Sequence, residues 1–302
     1  MKILVTGGAG FIGSHVVDLL IKKGHDISII DNLSTGKKEN LNKDAKFYKA
    51  DIKSKFVEGI FKKEKFDVIV HHAAQINVRK SILDPVFDAE NNILGSLNII
   101  ALSKKYNIKK MLYASSGGAC YGEPVYLPCD EKHPVNPICP YGVSKYAVEL
   151  YLNQSGVKHC ILRYGNVYGP RQDPLGEAGV IAMFTNKIMK NKIPVVFGDG
   201  KQTRDFVYVE DVAKANLLAL EKEGTFNIGT GKKISVNEVY AALKKFSDYN
   251  GGKIHAKPIA GEVKHIYLGI SKAKQLLGWE PAVNFEEGIK KTIKWYKECY
   301  QL

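Results

Sequence analysis

The first half of the chain alternates between short apolar runs and longer stretches whose apolar residues recur at helical spacing. Lys2 to Thr6 is one such run. It ends in Gly7-Gly8-Ala9-Gly10-Phe11-Ile12-Gly13 and passes into an amphipathic stretch through Lys23. That order reads as strand, glycine turn, helix. Asp26 to Ile30, Phe47 to Ala50, Asp67 to Val70, Lys110 to Ser116 and His159 to Tyr164 are further strand-type runs. Pro85 to Tyr106 reads as one long helix, and another helix carries Tyr141. The alternation predicts an α/β fold, a doubly wound parallel (Rossmann) sheet. After Tyr168-Gly169-Pro170 the alternation weakens and Pro and Gly become frequent. Residues 1–166 therefore read as a dinucleotide-binding domain and 167–302 mainly as a smaller substrate-binding lobe. Phe226-Asn227-Ile228-Gly229 looks like a strand that rejoins the first domain. Helices are expected at Val236 to Phe246 and Phe285 to Tyr300, the second with Ile289, Ile293 and Tyr296 on one face.

Small residues at Gly7, Gly10 and Gly13 let the backbone turn tightly and approach a pyrophosphate lying on the N–H groups of the helix start. The spacing is G-x-x-G-x-x-G, and its place between a strand and a helix is the context such a motif requires. Asp31 ends the second strand, 18 residues after Gly13. A carboxylate there can accept from ribose hydroxyls and repel a 2′-phosphate, which favours NAD over NADP; the alternative is a plain turn residue. Asp51-Ile52 is a candidate adenine contact, and Ala73-Ala74 would let the chain pass close to a ligand. Asn91-Asn92 are amides in an apolar stretch and need partners if buried. His71-His72 resemble a metal pair only superficially, because adjacent strand residues face opposite sides; they read as structural.

Pro140-Tyr141-Gly142-Val143-Ser144-Lys145 carries the most pointed chemistry. Four residues apart on a helix, Tyr141 and Lys145 share a face. A phenol ordinarily titrates near pH 10, and an adjacent ammonium or cationic ring favours its phenolate, so Tyr141 becomes a candidate base. Ser115 or Ser116, at the end of a strand, can share the same substrate oxygen. The bland alternative has Tyr141 packing and Lys145 solvated.

Composition narrows the classes. The 302 residues, 45% hydrophobic, suffice for one large core or a core with a small lobe. A net charge of +13 invites nucleic acid as a partner, yet the lysines are scattered singly or in pairs without an aromatic-interleaved patch, so none is expected. The four arginines, Arg79, Arg163, Arg171 and Arg204, are the natural grips for phosphate or carboxylate. Five cysteines without C-x-x-C or C/H spacing indicate neither a disulfide framework nor zinc, and a cytoplasmic location is expected. Met1-Lys2-Ile3-Leu4-Val5 does not read as a signal peptide, and no apolar run approaches a membrane span.

Together the motifs carry a resemblance. They are T-G-G-A-G-F-I-G at 6–13, D-N-L-S-T-G at 31–36, H-H-A-A-Q at 71–75 and N-N-I-L-G-S at 91–96. To these add S-S-G-G at 115–118, P-Y-G-V-S-K at 140–145, R-Y-G-N-V-Y-G-P-R at 163–171, F-G-D-G at 197–200 and R-D-F-V-Y-V-E-D-V-A at 204–213. The chain resembles an extended short-chain dehydrogenase/reductase of the UDP-glucose (UDP-galactose) 4-epimerase family over nearly its whole length. The resemblance implies NAD on Gly7, Gly10, Phe11, Ile12, Gly13, Asp31, Asn32, Ser34, Asp51, Ile52, Ala73, Ala74, Gln75, Asn92, Tyr141 and Lys145. It implies a UDP-sugar on Ser116, Tyr141, Asn166 and Arg204, with the alternative that Arg204 pairs with Asp205 or Asp211. The reaction implied is epimerisation at C4 through a transient 4-keto sugar, with Tyr141 taking the O4 proton, Lys145 lowering its pKa, and Ser116 or Ser115 assisting.

Several positions depart from the pattern. Gly117 stands where many relatives have a third hydroxyl residue. Gly117-Gly118 also replace the acid pair of sugar 4,6-dehydratases, which favours simple epimerisation. Ile259-Ala260 stand before Gly261-Glu262 where relatives often have Arg. Ile266 occupies the place of a bulky tyrosine gate, which implies room for UDP-GlcNAc or UDP-GalNAc. Tyr146 to His159 is shorter than usual in a helix that helps relatives dimerise, and a homodimer is the assembly the resemblance allows. Arg79 leaves a UDP-glucuronate epimerase as an alternative, and a non-catalytic nucleotide-sugar-binding protein of the same fold is another.

Overall fold

The computed structural model describes residues 1–174, 179–258 and 263–300. Its first half runs β1 (Lys2–Thr6), α1 (Phe11–Lys22), β2 (Asp26–Asp31), β3 (Lys46–Lys49), α2 (Phe56–Glu64) and β4 (Val68–His71). It continues through α3 (Val78–Leu83), α4 (Pro85–Ala89), α5 (Gly95–Lys105), β5 (Lys110–Ser116), α6 (Gly117–Cys120), α7 (Pro140–Ser155) and β6 (His159–Tyr164). The second half adds β7 (Asn166–Tyr168), α8 (Val180–Met189), β8 (Val195–Phe197), β9 (Thr203–Arg204), β10 (Phe206–Tyr208) and α9 (Val209–Ala219). It ends with β11 (Gly224–Ile228), β12 (Ile234–Ser235), α10 (Val236–Phe246), β13 (Ile254–Ala256) and α11 (Phe285–Tyr300).

Seven strands form one sheet in the order β11-β6-β5-β4-β1-β2-β3, and every pairing in it is parallel. A parallel sheet is covered on both faces, which is why its central strands are apolar without interruption. Alternate residues supply the two cores. Ile3 and Val5 pack with Val16, Val17 and Leu20 of α1 and with Val212 and Ala213 of α9 on one side. Leu4, Ile30 and Ile69 pack with Phe61, Ile99 and Val148 on the other. Strand β11 reaches the sheet edge from late in the chain and pairs with β6.

The expected helix from Pro85 to Tyr106 is broken in character. Asp84 caps it by accepting from Phe87 N, 2.9 Å, and Pro85 opens it. Between α4 and α5, however, Glu90–Leu94 form a π-helical turn. The reason lies in Asn92, whose amide bonds the backbone of Gln75 at both ends, 2.8 and 2.9 Å, and draws this turn toward the loop after β4.

A third core joins Tyr168, Phe206 and Tyr208 to Phe184 of α8, Val239 and Leu243 of α10, and Ile289 and Ile293 of α11. Buried Trp279 donates to Asp211 O, 2.8 Å, while the Asp211 carboxylate accepts from Ala282 N and Val283 N, both 3.0 Å. These bonds fix the approach to α11 against α9. Ile293→Ala should therefore lower the unfolding free energy by about 2–5 kcal/mol in urea titrations. A loss below about 0.5 kcal/mol would place α11 outside the cooperative core.

Candidate active site

In the sheet order the chain steps from β1 outward to β2 on one side and has β4 on the other, so a crevice opens beyond the carboxyl ends of β1 and β4. The glycine turn borders it. Gly7 has φ +70°, and a Cβ there would stand 2.7 Å from Ala73 N. A Cβ on Gly13 would stand 2.2 Å from Gly7 O. Any side chain at these points would force the turn, α1 and the loop after β4 apart. Helix α1 begins at Phe11 with Gly10 as N-cap and no capping side chain, so Phe11, Ile12 and Gly13 present a helix start to the crevice.

Asp31 is buried at the end of β2 and accepts from Ala9 N, 3.0 Å, and Leu33 N, 2.8 Å. Burial raises its pKa above the ordinary carboxylate value, and these two bonds oppose the rise. Gly36 passes so close that a Cβ would meet the carboxylate at 2.8 Å. Asn32 donates to Asp51, 3.2 Å, and accepts from Ser34 N, 3.0 Å; Asp51 also accepts from Lys53 N, 2.8 Å. Ile52 is buried beside them. Ala73 N is tied to Thr6 Oγ1, 3.2 Å, and Ala74 follows it along the crevice. This donor set, a helix start facing an oriented carboxylate, fits a dinucleotide.

Helix α7 places Tyr141, on its first turn, at the carboxyl end of β5, the neighbour of β4 in the sheet. Lys145 Nζ lies 5.9 Å from the Tyr141 ring centre and 5.0 Å from that of Tyr113, and donates to Ala114 O, 2.9 Å. The Ser116 hydroxyl bonds the Tyr141 phenol and accepts from Ala119 N, 3.2 Å. Ser115, one residue earlier in the strand, faces the other way: it donates to Glu149 and contacts Cys120 Sγ inside the core. Only Ser116 of the two serines stands at the phenol. A Cβ on Gly117 would meet the Leu268 side chain at 2.8 Å, and one on Gly118 would lie 3.7 Å from Asn166 Oδ1.

The electrostatics depart from the sequence expectation. Burial, then Cys120, Cys139 and Asp88, push the Tyr141 phenol well above its ordinary pKa, and the bond from Ser116 only partly opposes this. Burial also lowers the Lys145 ammonium to about 8 against the attraction of Cys120, Asp88 and Glu149. The protein's own groups thus keep the phenol protonated, because desolvation outweighs the neighbouring lysine; a further positive charge beside it is what would favour the phenolate.

Arg163 serves differently from what the scarcity of arginine suggests. Arg163 is buried and paired with Glu149, Nε to Oε1 3.0 Å and Nη2 to Oε2 2.5 Å, and donates to Tyr121 OH, 3.1 Å. Arg171 pairs with Asp18, 2.7 Å, and Arg79 lies over the Phe197 ring, 5.9 Å. Arg204 donates to Thr203 O, 2.9 Å. Asp205 is occupied by the N–H groups of Thr230, Gly231 and Leu268, and Asp211 by those noted above. Ile266 is buried with Tyr121, Cys129 and Leu268. The residues from Ile259 to Glu262 lie outside the described ones.

Asn92 and Gln75 act on the crevice through the backbone. The Asn92 amide is spent on Gln75 and Asp88, and Gln75 Nε2 donates to Asp88, 2.8 Å. The one sequence signal for Asp88 is its i,i+4 spacing to Asn92. His71 and His72 sit back to back. His71 bonds Thr6 Oγ1, 2.6 Å, and Ser96 Oγ, 2.9 Å, whereas His72 bonds Tyr164 OH, 3.1 Å. Among the described residues no group of His, Cys, Asp and Glu is arranged to hold a metal.

Comparison with known proteins gives this crevice its relatives. Residues 3–229 match the model of the NAD dependent epimerase/dehydratase family. The chain belongs to that family. A relative of this epimerase/dehydratase from Methanocaldococcus jannaschii is 54% identical over 300 residues, 98% of each chain. The crystal structure of a UDP-glucose 4-epimerase from Thermotoga maritima with UDP-glucose is 47% identical, with a TM-score of 0.97. That match covers 99% of this chain and 100% of the other. A UDP-N-acetylglucosamine 4-epimerase from Methanobrevibacter ruminantium in complex with UDP-N-acetylmuramic acid is 36% identical, with a TM-score of 0.93. It covers 100% of this chain and 99% of that one. The parallel seven-stranded sheet of this family member is the Rossmann architecture, and its cofactor is NAD.

Burial holds His71 and His72 neutral, with pKa values lowered to about 3. The unfolded chain binds protons at these positions from about pH 6.5 downward, so their stabilisation is complete above pH 6.5 and is lost as the pH falls toward 3. Each histidine should remove about 1.4 kcal/mol per pH unit below that point. The urea midpoint is expected to fall between pH 6.5 and 5, above the range where carboxylates titrate. A flat midpoint would contradict the buried neutral pair.

Proposed function

We propose that the protein is an NAD-dependent nucleotide-sugar 4-epimerase that interconverts UDP-glucose and UDP-galactose. The observation that carries this reading is the Ser116–Tyr141–Lys145 arrangement, in a chain whose Gly117 and Gly118 supply no additional acid. Bound NAD would supply the two-electron acceptor and donor that exchange of hydride at C4 requires. Tyr141 removes the proton from O4, and Ser116 orients that oxygen. Lys145 adds the charge that favours the phenolate and holds the nicotinamide ribose. Phe11, Ile12 and Gly13 receive the pyrophosphate, and Asp31 the adenosine ribose. Asn166, next to Gly118, and Arg204 hold the sugar and its diphosphate.

The place of Ile266 favours N-acetylated sugars as second substrates. Ile266 is an aliphatic side chain packed with Tyr121 and Leu268, smaller than the tyrosine that the resemblance places there, and the smaller residue supports this reading. Apolar Val143, Leu150 and Tyr151 of α7, and Val86 and Leu94 on segments packed against α7, lie exposed, and a homodimer through this side is the assembly they support. Among the described residues no helix is long and apolar enough to cross a membrane. The five free cysteines support a reducing, cytoplasmic setting.

Purified protein incubated with UDP-galactose and no added cofactor should form UDP-glucose and release NAD on denaturation. Absence of conversion by protein that carries NAD would reduce the reading to a binding protein. Tyr141→Phe should retain NAD and lose about 10²–10⁴-fold in kcat; near-normal turnover would remove the phenol from the chemistry. UDP-GalNAc should turn over alongside UDP-galactose, and Ile266→Tyr should suppress the acetylated sugar selectively. Rejection of UDP-GalNAc by the unaltered protein would contradict the open gate.

A further inference from the structure

Asp88 is fully buried on α4, and its carboxylate receives three uncharged donors from three separate segments. Gln75 Nε2 donates to Oδ1 from the loop after β4, 2.8 Å; Asn92 Nδ2 donates to the same atom from the π-helical turn, 3.0 Å. Ser144 Oγ donates to Oδ2 from the first turns of α7, 2.6 Å. An ionised carboxylate is acceptor-only and suits three donors, whereas a protonated one would have to turn a hydrogen toward one of them. A buried charge needs a counterpart. Ser144 immediately precedes Lys145, whose ammonium feels this carboxylate.

The other groups facing Lys145 do not duplicate Asp88. They are Tyr113 and Cys120 from β5 and α6, Tyr141 and Glu149 from α7, His71 from β4 and His72 just after it. Glu149 is the second carboxylate, but Arg163 neutralises it bidentately. Asp88 is left as the carboxylate without its own cation. The same segment holds α7 at a second point, because Tyr141 N donates to Ser81 Oγ of α3, 3.2 Å. The intervening π turn is a conformation found frequently at functional sites.

We propose that Asp88 is a positioning residue for the Tyr141–Lys145 pair: its carboxylate fastens the first turns of α7 to the loop after β4 and supplies the negative charge that faces the buried ammonium. This rests on the epimerase reading above. In Asp88→Asn, with folding checked by thermal melting and NAD content measured, kcat should fall about 10–100-fold while KM for UDP-galactose changes less than about threefold. The alkaline limb of the kcat–pH profile, where Lys145 loses its proton, should move to lower pH, since removing an opposite charge disfavours the ammonium. A folded, NAD-loaded Asp88→Asn protein with the original kcat and limb overturns the proposal, as does a loss confined to KM. If that variant does not fold, Ser144→Ala keeps the charge and removes one of the three bonds. It should lower kcat about threefold or more and leave the limb in place, and an unchanged kcat counts against Asp88.

Conversion by the unaltered protein tests the reaction separately. Should it convert no sugar, Asp88 is judged on the ultraviolet titration of the Tyr141 phenol in the NAD-loaded protein, taken as a difference from Tyr141→Phe. Asp88→Asn should shift that midpoint to lower pH. An unmoved midpoint overturns the positioning role without reference to turnover.

Discussion

Desolvation of one ionisable pair is the constraint on which the rest of the site depends. Lys145 is buried and Tyr141 half-buried at the start of α7, and desolvation drives both toward their neutral forms. Everything nearby works on that imbalance. Ala114 O accepts from the ammonium, Ser116 from the phenol side steadies the hydroxyl, and carboxylates on α4 and α7 oppose the loss of the lysine's proton. Where solvent screening is reduced and dipoles are fixed, a small change of charge has a large effect.

Around this pair the fold places rigid supports. The Glu149–Arg163 pair continues through Tyr121 OH to Asn227 Oδ1, 2.7 Å, and from Asn227 Nδ2 to Cys129 O, 2.9 Å, and Gly269 O, 3.2 Å. One chain of bonds therefore runs from the strand end that carries the serines to the segment that holds Leu268 beside Gly117. Asp205 performs a similar service for the loop after β11 by accepting from Thr230, Gly231 and Leu268. Polar groups in the core are thus spent on fixing loops.

Much of the fold was legible because its signals are local. The glycine turn, the apolar strands and helices α10 and α11 follow from short-range pattern and turn chemistry. What escaped depended on contacts between distant segments. The π turn at Glu90–Leu94 arises from Asn92 meeting Gln75, which no periodicity reveals. Arg163 looked like a phosphate grip because its partner Glu149, on the neighbouring helix, cannot be assigned from spacing. The choice between Ser115 and Ser116 needed the strand's facing, and the protonation of Tyr141 needed its burial. Asp88 went unremarked since a carboxylate early in a helix is ordinarily a solvated one.

Strand β11 closes the sheet only after 223 residues have preceded it. Until Gly224–Ile228 arrive, β6 is an open edge whose backbone groups await a partner, and such an edge invites pairing with other chains. A nascent chain released before that point would carry the glycine turn and the tyrosine yet expose this seam. Proper assembly of the sheet that carries the crevice is therefore tied to synthesis of β11, and a fragment ending before it would inherit the liability.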